Sequence, residues 1–220
     1  MEAHVEYQNY ERELKYLLTE NGKLTLNSVL NTLNCHDYTL LETITKEKHE
    51  IYYDDSALTL LNSGDVIRGS KQMDTQYFGF MYKKNVSDPK KPYVSKIEVS
   101  SGKYETIECF INALGLNMQL YPILYAKMMR DTAIIEKYGD RFLITYDKVN
   151  YFESPESPWI CEDMIEVEDW STPNSQDVRI DYDAHLYAIN DILLNKLPIT
   201  LTKHAKPYRG YVMLNKLNRN

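Results

Sequence analysis

The sequence predicts an α+β protein: one mostly antiparallel β-sheet, closed or nearly closed into a barrel, with α-helices on its flanks. Three observations predict it. Strand-like segments, several with period-two alternation of apolar and polar residues, number about eight. Only three stretches carry the i, i+3, i+4, i+7 spacing of an amphipathic helix. Strands and helices do not alternate regularly, which makes a parallel doubly wound sheet a poor fit and favours a closed antiparallel one.

In chain order, residues 6–18 form the first strand. Tyr10, Arg12, Leu14 and Tyr16 share one face, and Glu11, Glu13 and Lys15 share the other. Arg12 is expected outside, in solvent. Asn21-Gly22 marks a turn. Leu26, Val29, Leu30 and Leu33 form one stripe of a short helix. Residues 37–54 read as strand, with a hairpin near Lys46 to Lys48 as an alternative to one long run; Tyr52-Tyr53-Asp54-Asp55 is a strand end and turn. A short apolar segment at 57–61 precedes the turn Asn62-Ser63-Gly64-Asp65.

Residues 65–70 and 76–84 are two strands around the polar stretch Lys71 to Thr75, and NVSDPKKP at 85–92 is a loop. The strand 93–100 places Lys96 and Glu98 on one face and Ile97 and Val99 on the other. Ile107, Phe110, Ile111 and Leu114 give a second helix, ended by Gly115. Strands 123–135 and 140–149 are separated by Tyr138-Gly139-Asp140. ESPESP at 153–158 is a loop, 160–168 a strand carrying Glu166 and Glu168, and 169–177 another loop. A third helix covers about 183–197, with Leu186, Ile189, Leu193 and Leu197 along one side.

Composition narrows the class. The chain has 220 residues, 43% hydrophobic and 26% charged, which is ordinary for a soluble globular protein. Its net charge of −7 argues against broad nucleic-acid binding, which needs a basic footprint. No apolar run reaches the length of a membrane span. The acidic start MEAHVEYQNYERE lacks the apolar core of a secretory signal. Cys35, Cys109 and Cys161 are too far apart for a CxxC metal site and suit no disulfide framework, so a cytoplasmic protein is expected. The 19 tyrosines read mostly as packing residues of half-buried strands.

Strand parity collects charge on one face. It gathers Glu11, Glu13 and Lys15; Lys96 and Glu98; Arg141, Thr145 and Asp147; and Glu166 and Glu168. Arg68 ends a strand, Arg130 lies within one, and either Lys83 or Lys84 points inward. Lys203, Lys206 and Arg209 are read as closing one end. One Glu-x-Glu is usually just a solvated sheet face. Several like charges on one enclosed face repel, and each costs several kcal/mol to desolvate unless paired or metal-bound. Carboxylates without a histidine or cysteine cluster favour hard cations, Mg²⁺ or Mn²⁺. Lysine and arginine facing the same space favour phosphate oxygens. Walker, GxGxxG, GxSxG and HExxH motifs are absent, and the five histidines are scattered.

The chain resembles the CYTH-like, or triphosphate tunnel metalloenzyme, superfamily. The resemblance rests on Glu11-x-Glu13-x-Lys15, the Tyr53-Asp54 strand end with Leu58, Leu60 and Leu61, and Val66-Ile67-Arg68. It continues through Lys96-x-Glu98, Arg130, Ile144-Thr145-Tyr146-Asp147, Glu166-x-Glu168, Thr202-Lys203 and Tyr208-Arg209-Gly210. These occur in family order over nearly the whole chain, so residues 1–220 are read as one such domain. Arg12 to Tyr16 and Arg141 to Asp147 are also similar to the polyphosphate polymerase branch. Two positions depart from the pattern: Ser70 stands where many relatives carry a second arginine, and Ser100 where many carry a further glutamate.

The resemblance implies an eight-stranded antiparallel tunnel open at both ends, acting on triphosphates with Mg²⁺ or Mn²⁺. The leading expectation is a metal-dependent triphosphatase for inorganic tripolyphosphate, ATP or a similar small triphosphate. It would act as a monomer or homodimer without nucleic acid or membrane. Glu11, Glu13, Lys15, Glu166 and Glu168 are the expected catalytic residues. Metal falls to Glu11, Glu13, Glu98, Asp147, Glu166 and Glu168. Phosphate contacts fall to Lys15, Arg68, Lys83, Lys84, Lys96, Arg130, Arg141, Lys203 and Arg209. The alternatives are an adenylate cyclase of class IV type, a polyphosphate polymerase, and a non-catalytic polyphosphate or nucleotide binder, the last prompted by Ser70 and Ser100.

Overall fold

The computed structural model describes residues 7–19, 24–73, 78–101, 104–170 and 182–217. Among these residues, nine strands form one antiparallel sheet: β1 (Tyr7–Leu18), β2 (Thr39–Asp54), β3 (Val66–Gln72), β4 (Phe78–Asn85), β5 (Val94–Ser101), β6 (Tyr121–Lys137), β7 (Asp140–Phe152), β8 (Trp159–Asp169) and β9 (Ile199–Thr202). Their order is β5-β4-β3-β2-β6-β7-β8-β1-β9, and a further β1–β5 pairing closes the first eight into a barrel. β1 manages both contacts by dividing its free edge. Residues 7–13 pair with β5, and residues 15–18 pair with β9. Closure removes the exposed edges that an open sheet would carry.

Among the described residues, five helices accompany the barrel: α1 (Leu26–Asn34), α2 (Thr59–Ser63), α3 (Ile107–Ala113), α4 (Tyr182–Lys196) and α5 (Lys206–Leu217). α1 starts at a Thr25–Ser28 capping box, and its Val29 and Leu33 are buried. With Leu186, Ile189 and Leu193 of α4 they cover Leu14, Tyr16, Phe142, Ile144, Ile165 and Val167, the outer face of β1, β7 and β8. α3 covers β3 and β4 in the same way, with Phe110 stacked on Phe80 at 5.7 Å. The β6–β7 turn uses Tyr138 and Gly139, both at positive φ, as a two-residue hairpin requires.

Several sequence expectations change. β2 is one 16-residue strand paired with β6 throughout, so no hairpin interrupts Lys46 to Lys48. The segment at 57–61 leads into α2, held by Asp54, whose carboxylate accepts from the backbone of Leu60 and Leu61. β9 and α5 were not expected. The Asn21-Gly22 turn and most of the 169–177 loop lie outside the described residues.

α5 also corrects the expectation of a tunnel open at both ends. Leu124, Ala126 and Met128 of β6 and Val149 and Tyr151 of β7 point into the barrel, and Leu214 of α5 packs among them. Gly210 makes this possible. A Cβ there would lie 2.5 Å from the buried Tyr151 ring, closer than side chains pack. One end of the bore is therefore an apolar plug.

Candidate functional site

Above the plug, the interior turns from apolar to charged. Strand parity sets the change. Glu11, Glu13 and Lys15 on β1 face Glu166 and Glu168 on β8, because Glu13 pairs with Glu168 and Lys15 with Glu166. Asp147 on β7 pairs with Arg130 on β6, and Glu98 on β5 with Lys83 on β4. Lys48, Glu50 and Tyr52 continue the ring on β2, next to Arg68 on β3. Glu11, Glu13, Lys15, Tyr52, Arg68, Lys83, Arg130, Glu166 and Glu168 among them line a narrow cavity of about 60 Å³, room for a few waters.

Most of these charges are paired, as burial demands. Arg130 grips Asp147 with two parallel bonds of 2.7 and 2.6 Å and reaches Glu166 at 3.2 Å. Lys206, the first residue of α5, lies 3.0 Å from Asp147 and 2.6 Å from Glu166. Lys15 lies 2.6 Å from Glu13 and 2.7 Å from Glu166. Arg68 holds Glu50 at 2.8 Å, and Tyr52 donates to the same carboxylate. Lys83 bridges Glu11 at 2.5 Å and Glu98 at 3.0 Å. Lys96 is weakly compensated; its ion pair with Glu13 is 3.6 Å long.

Titration follows this arrangement. Burial alone would raise Glu13, Asp147 and Glu166, but neighbouring cations hold all three below the ordinary carboxylate range, Glu13 at about 2. Glu168 behaves oppositely. Burial, then the Glu11 charge, with Glu13 and Glu98 adding to it, push it up to about 8 against the pull of Lys83. Burial also lowers Lys96 to about 8, assisted by Lys15 and Lys83, and lowers Lys48 to about 8, assisted by Arg130 and Arg68.

Of the residues singled out in the sequence, Glu11, Glu13, Lys15, Arg68, Lys83, Lys96, Arg130, Glu166 and Glu168 line this cavity, and Glu98 and Asp147 are ion-paired to its lining. Four do not join them. Lys84 pairs with Ile97 on the outer face and is exposed. Arg141 has inward parity but lies beyond Leu143, beside the β6–β7 turn; its side chain is 56% exposed and bonds Glu136. Arg209 binds Glu162 toward the plug. Lys203 is exposed and donates to the Pro89 carbonyl. Arg12 faces outward as expected, but it is half-buried and bonds Asp169 at 2.5 Å and Asp183 at 3.2 Å.

Sequence reasoning missed Lys48, Glu50 and Tyr52, although Lys48-x-Glu50-x-Tyr52 carries the same alternation as the opening motif. Lys206 was placed at an end and instead reaches the centre. Its position on a helix start left no periodic signal.

The fit to a divalent metal is chemical rather than preformed. Among the described residues, no group of three or more histidine, cysteine, aspartate or glutamate side chains stands ready to hold an ion. Yet the corner of Glu11, Glu13, Glu98 and Glu168 offers only oxygen donors, the set a hard cation prefers. Glu13 Oε1 is buried without a properly aligned hydrogen bond, and Glu168 makes no ion pair among the described residues. Asp147 and Glu166 fit a metal less well, since Arg130 and Lys206 hold both and Lys15 also holds Glu166.

A closed antiparallel barrel around a charged lumen is a fold with solved counterparts. Three solved structures show that likeness. One is an adenylyl cyclase candidate from Hippeastrum, described as having a dominant triphosphatase activity, with a TM-score of 0.53 at 13% identity over 92% of this chain and 95% of that one. The PH1819 protein of Pyrococcus horikoshii gives 0.53 at 17% over 94% and 99%. An adenylate cyclase candidate from Bacillus halodurans gives 0.52 at 14% over 92% and 97%. At these identities the likeness concerns the fold alone. No protein-family profile and no curated protein matches the sequence.

Proposed function

We propose that the lumen binds the phosphate chain of a small triphosphate and hydrolyses it with a divalent metal. One observation carries the reading: buried lysines and half-buried arginines from elements far apart in sequence converge with carboxylates on a single enclosed space. A polyanion is the ligand that exchanges those internal ion pairs for equally strong external ones. The N-terminus of α5, where Lys206 sits, adds the positive end of a helix dipole at the same place.

Arg130, Lys206 and Lys15 would grip one part of the chain, and Lys83, Arg68 and Lys96 the rest. The cavity is too narrow for a triphosphate while the ion pairs are closed, so binding opens them. Water adds its oxygen to the terminal phosphorus, and the bridging P–O bond breaks with its electron pair leaving on the diphosphate. The water proton passes to solvent or to a lumen carboxylate. Glu11, Glu13, Glu98 and Glu168 would hold Mg²⁺ or Mn²⁺ once Lys83 swings from Glu11 and Glu98. When bound, the metal neutralises charge on the phosphate oxygens.

Phosphate release from tripolyphosphate with either metal tests this. Wild type should release it well above the rate of Glu13→Ala, and equal background rates for both overturn the reading. The Lys83 bridge favours one rival, a barrel that binds polyphosphate or nucleotide without turnover, because that lysine occupies the acidic corner. Calorimetry showing tight binding with no product would select it.

A further inference from the structure

One of the protein's own cations occupies the acidic corner of the lumen. Lys83 Nζ lies 2.8 and 2.5 Å from the two carboxylate oxygens of Glu11 and 3.0 Å from Glu98. Register fixes this placement: Lys83 on β4 pairs with Glu98 on β5, and β5 pairs in turn with β1, which carries Glu11. Three oxygens therefore surround one ammonium, much as they would surround a bound ion. Glu11 is 2% exposed, and Lys83 is the cation bonded to it. The neighbouring Lys15 is engaged elsewhere, with Glu13 and Glu166 at 2.6 and 2.7 Å.

This arrangement opposes either ligand alone. A divalent ion needs the oxygens that Lys83 holds, and it would meet a like charge between them. Lys83 cannot simply leave, because Glu11 would then stay buried without a partner. A phosphate chain offers the ammonium new oxygens within reach of its flexible stem. It would also bring negative charge beside the vacated carboxylates. A metal ion in the vacated place removes that second cost. We propose that Lys83 is a resident cation that a divalent metal and a phosphate chain displace together, so that each binds strongly only in the presence of the other. Such coupling is reciprocal. This rests on the metal-dependent triphosphate reading above and adds the regulation of its site: the acidic corner stays closed to metal until an anion draws Lys83 away.

The test titrates Mn²⁺ into the protein with no phosphate compound present, reading free Mn²⁺ by its electron paramagnetic resonance signal. Lys83→Gln, which keeps a polar side chain of similar reach without the charge, should bind Mn²⁺ at least about ten-fold more tightly than wild type. That factor corresponds to one charge-assisted hydrogen bond that the metal no longer has to break. Adding Glu11→Gln to Lys83→Gln should abolish the gain. Lys96→Gln removes a neighbouring charge from the same chamber and should gain far less. An equal gain in Lys96→Gln, or an unchanged Kd in Lys83→Gln, overturns the proposal. If Lys83→Gln is unfolded without metal, Mn²⁺ should restore its folding and raise its Tm where it leaves wild type unmoved; no rescue overturns the proposal equally. If Lys83→Gln gains nothing while wild type releases phosphate from tripolyphosphate, only the role of Lys83 falls. If the variant gains affinity while wild type neither binds nor hydrolyses tripolyphosphate, the phosphate half falls together with the triphosphate reading.

Discussion

Arg130→Met isolates the strongest ion pair of the lumen. Asp147 is 0% exposed and receives both parallel bonds of Arg130, at 2.7 and 2.6 Å. Without Arg130 it keeps only Lys206, 3.0 Å away, whereas Glu166 keeps both Lys15 and Lys206. Removing one partner of a buried pair costs about 3–5 kcal/mol, and the remaining Lys206 contact places this case near the lower end, about 3 kcal/mol. Urea unfolding at pH 7 measures it, with an unchanged slope showing that the folded state is intact. Arg130→Met with Asp147→Leu removes both charges and should recover most of the loss, because two desolvation costs disappear with the pair. A single-variant cost below about 1 kcal/mol, or a double variant no more stable than the single, would refute the reasoning.

Two further substitutions probe other parts of the bore. Glu168 is raised to about 8 by burial and the glutamates around it. Between its unfolded value near 4.5 and about 8 the folded state therefore holds the extra proton, and wild type loses stability as pH rises through that window. Glu168→Gln, unfolded by urea with EDTA present, should gain on wild type from pH 5 to pH 8; a constant gap contradicts the assignment. Gly210→Ala drives a methyl group to 2.5 Å from the buried Tyr151 ring and should cost about 1–3 kcal/mol through overpacking of the plug. Thermal unfolding within experimental error of wild type would show that α5 does not enter the barrel.

The legible part of the site is the part that a two-residue period controls. Glu11, Glu13, Lys15, Lys96, Glu98, Asp147, Glu166 and Glu168 share one face because each lies in a regular strand with an apolar opposite face. Parity settles the face and leaves the depth open, which is why Arg141 was misplaced. Its inward register is right, but it sits past the last lumen pair, Leu143 with Glu168. Lys83 and Lys84 could not be separated without the β4–β5 register, which sets Lys83 opposite Glu98. The polar run from Lys46 to Lys48 looked like a turn because local composition carries no record of the partner strand β6. Lys206 and the plug were hidden for another reason. α5 is organised by contacts with residues far away in sequence, and its Gly210 reads as a helix breaker until Tyr151 is seen against it.

The proposed function puts a phosphate chain inside the barrel. A crystal structure of the protein with tripolyphosphate tests it directly. Phosphorus positions are expected within the bore, in contact with Arg130, Lys206 and Lys83, with the Lys83–Glu11 bridge opened. Tripolyphosphate found only on the outer surface, with the internal ion pairs still closed, would contradict it.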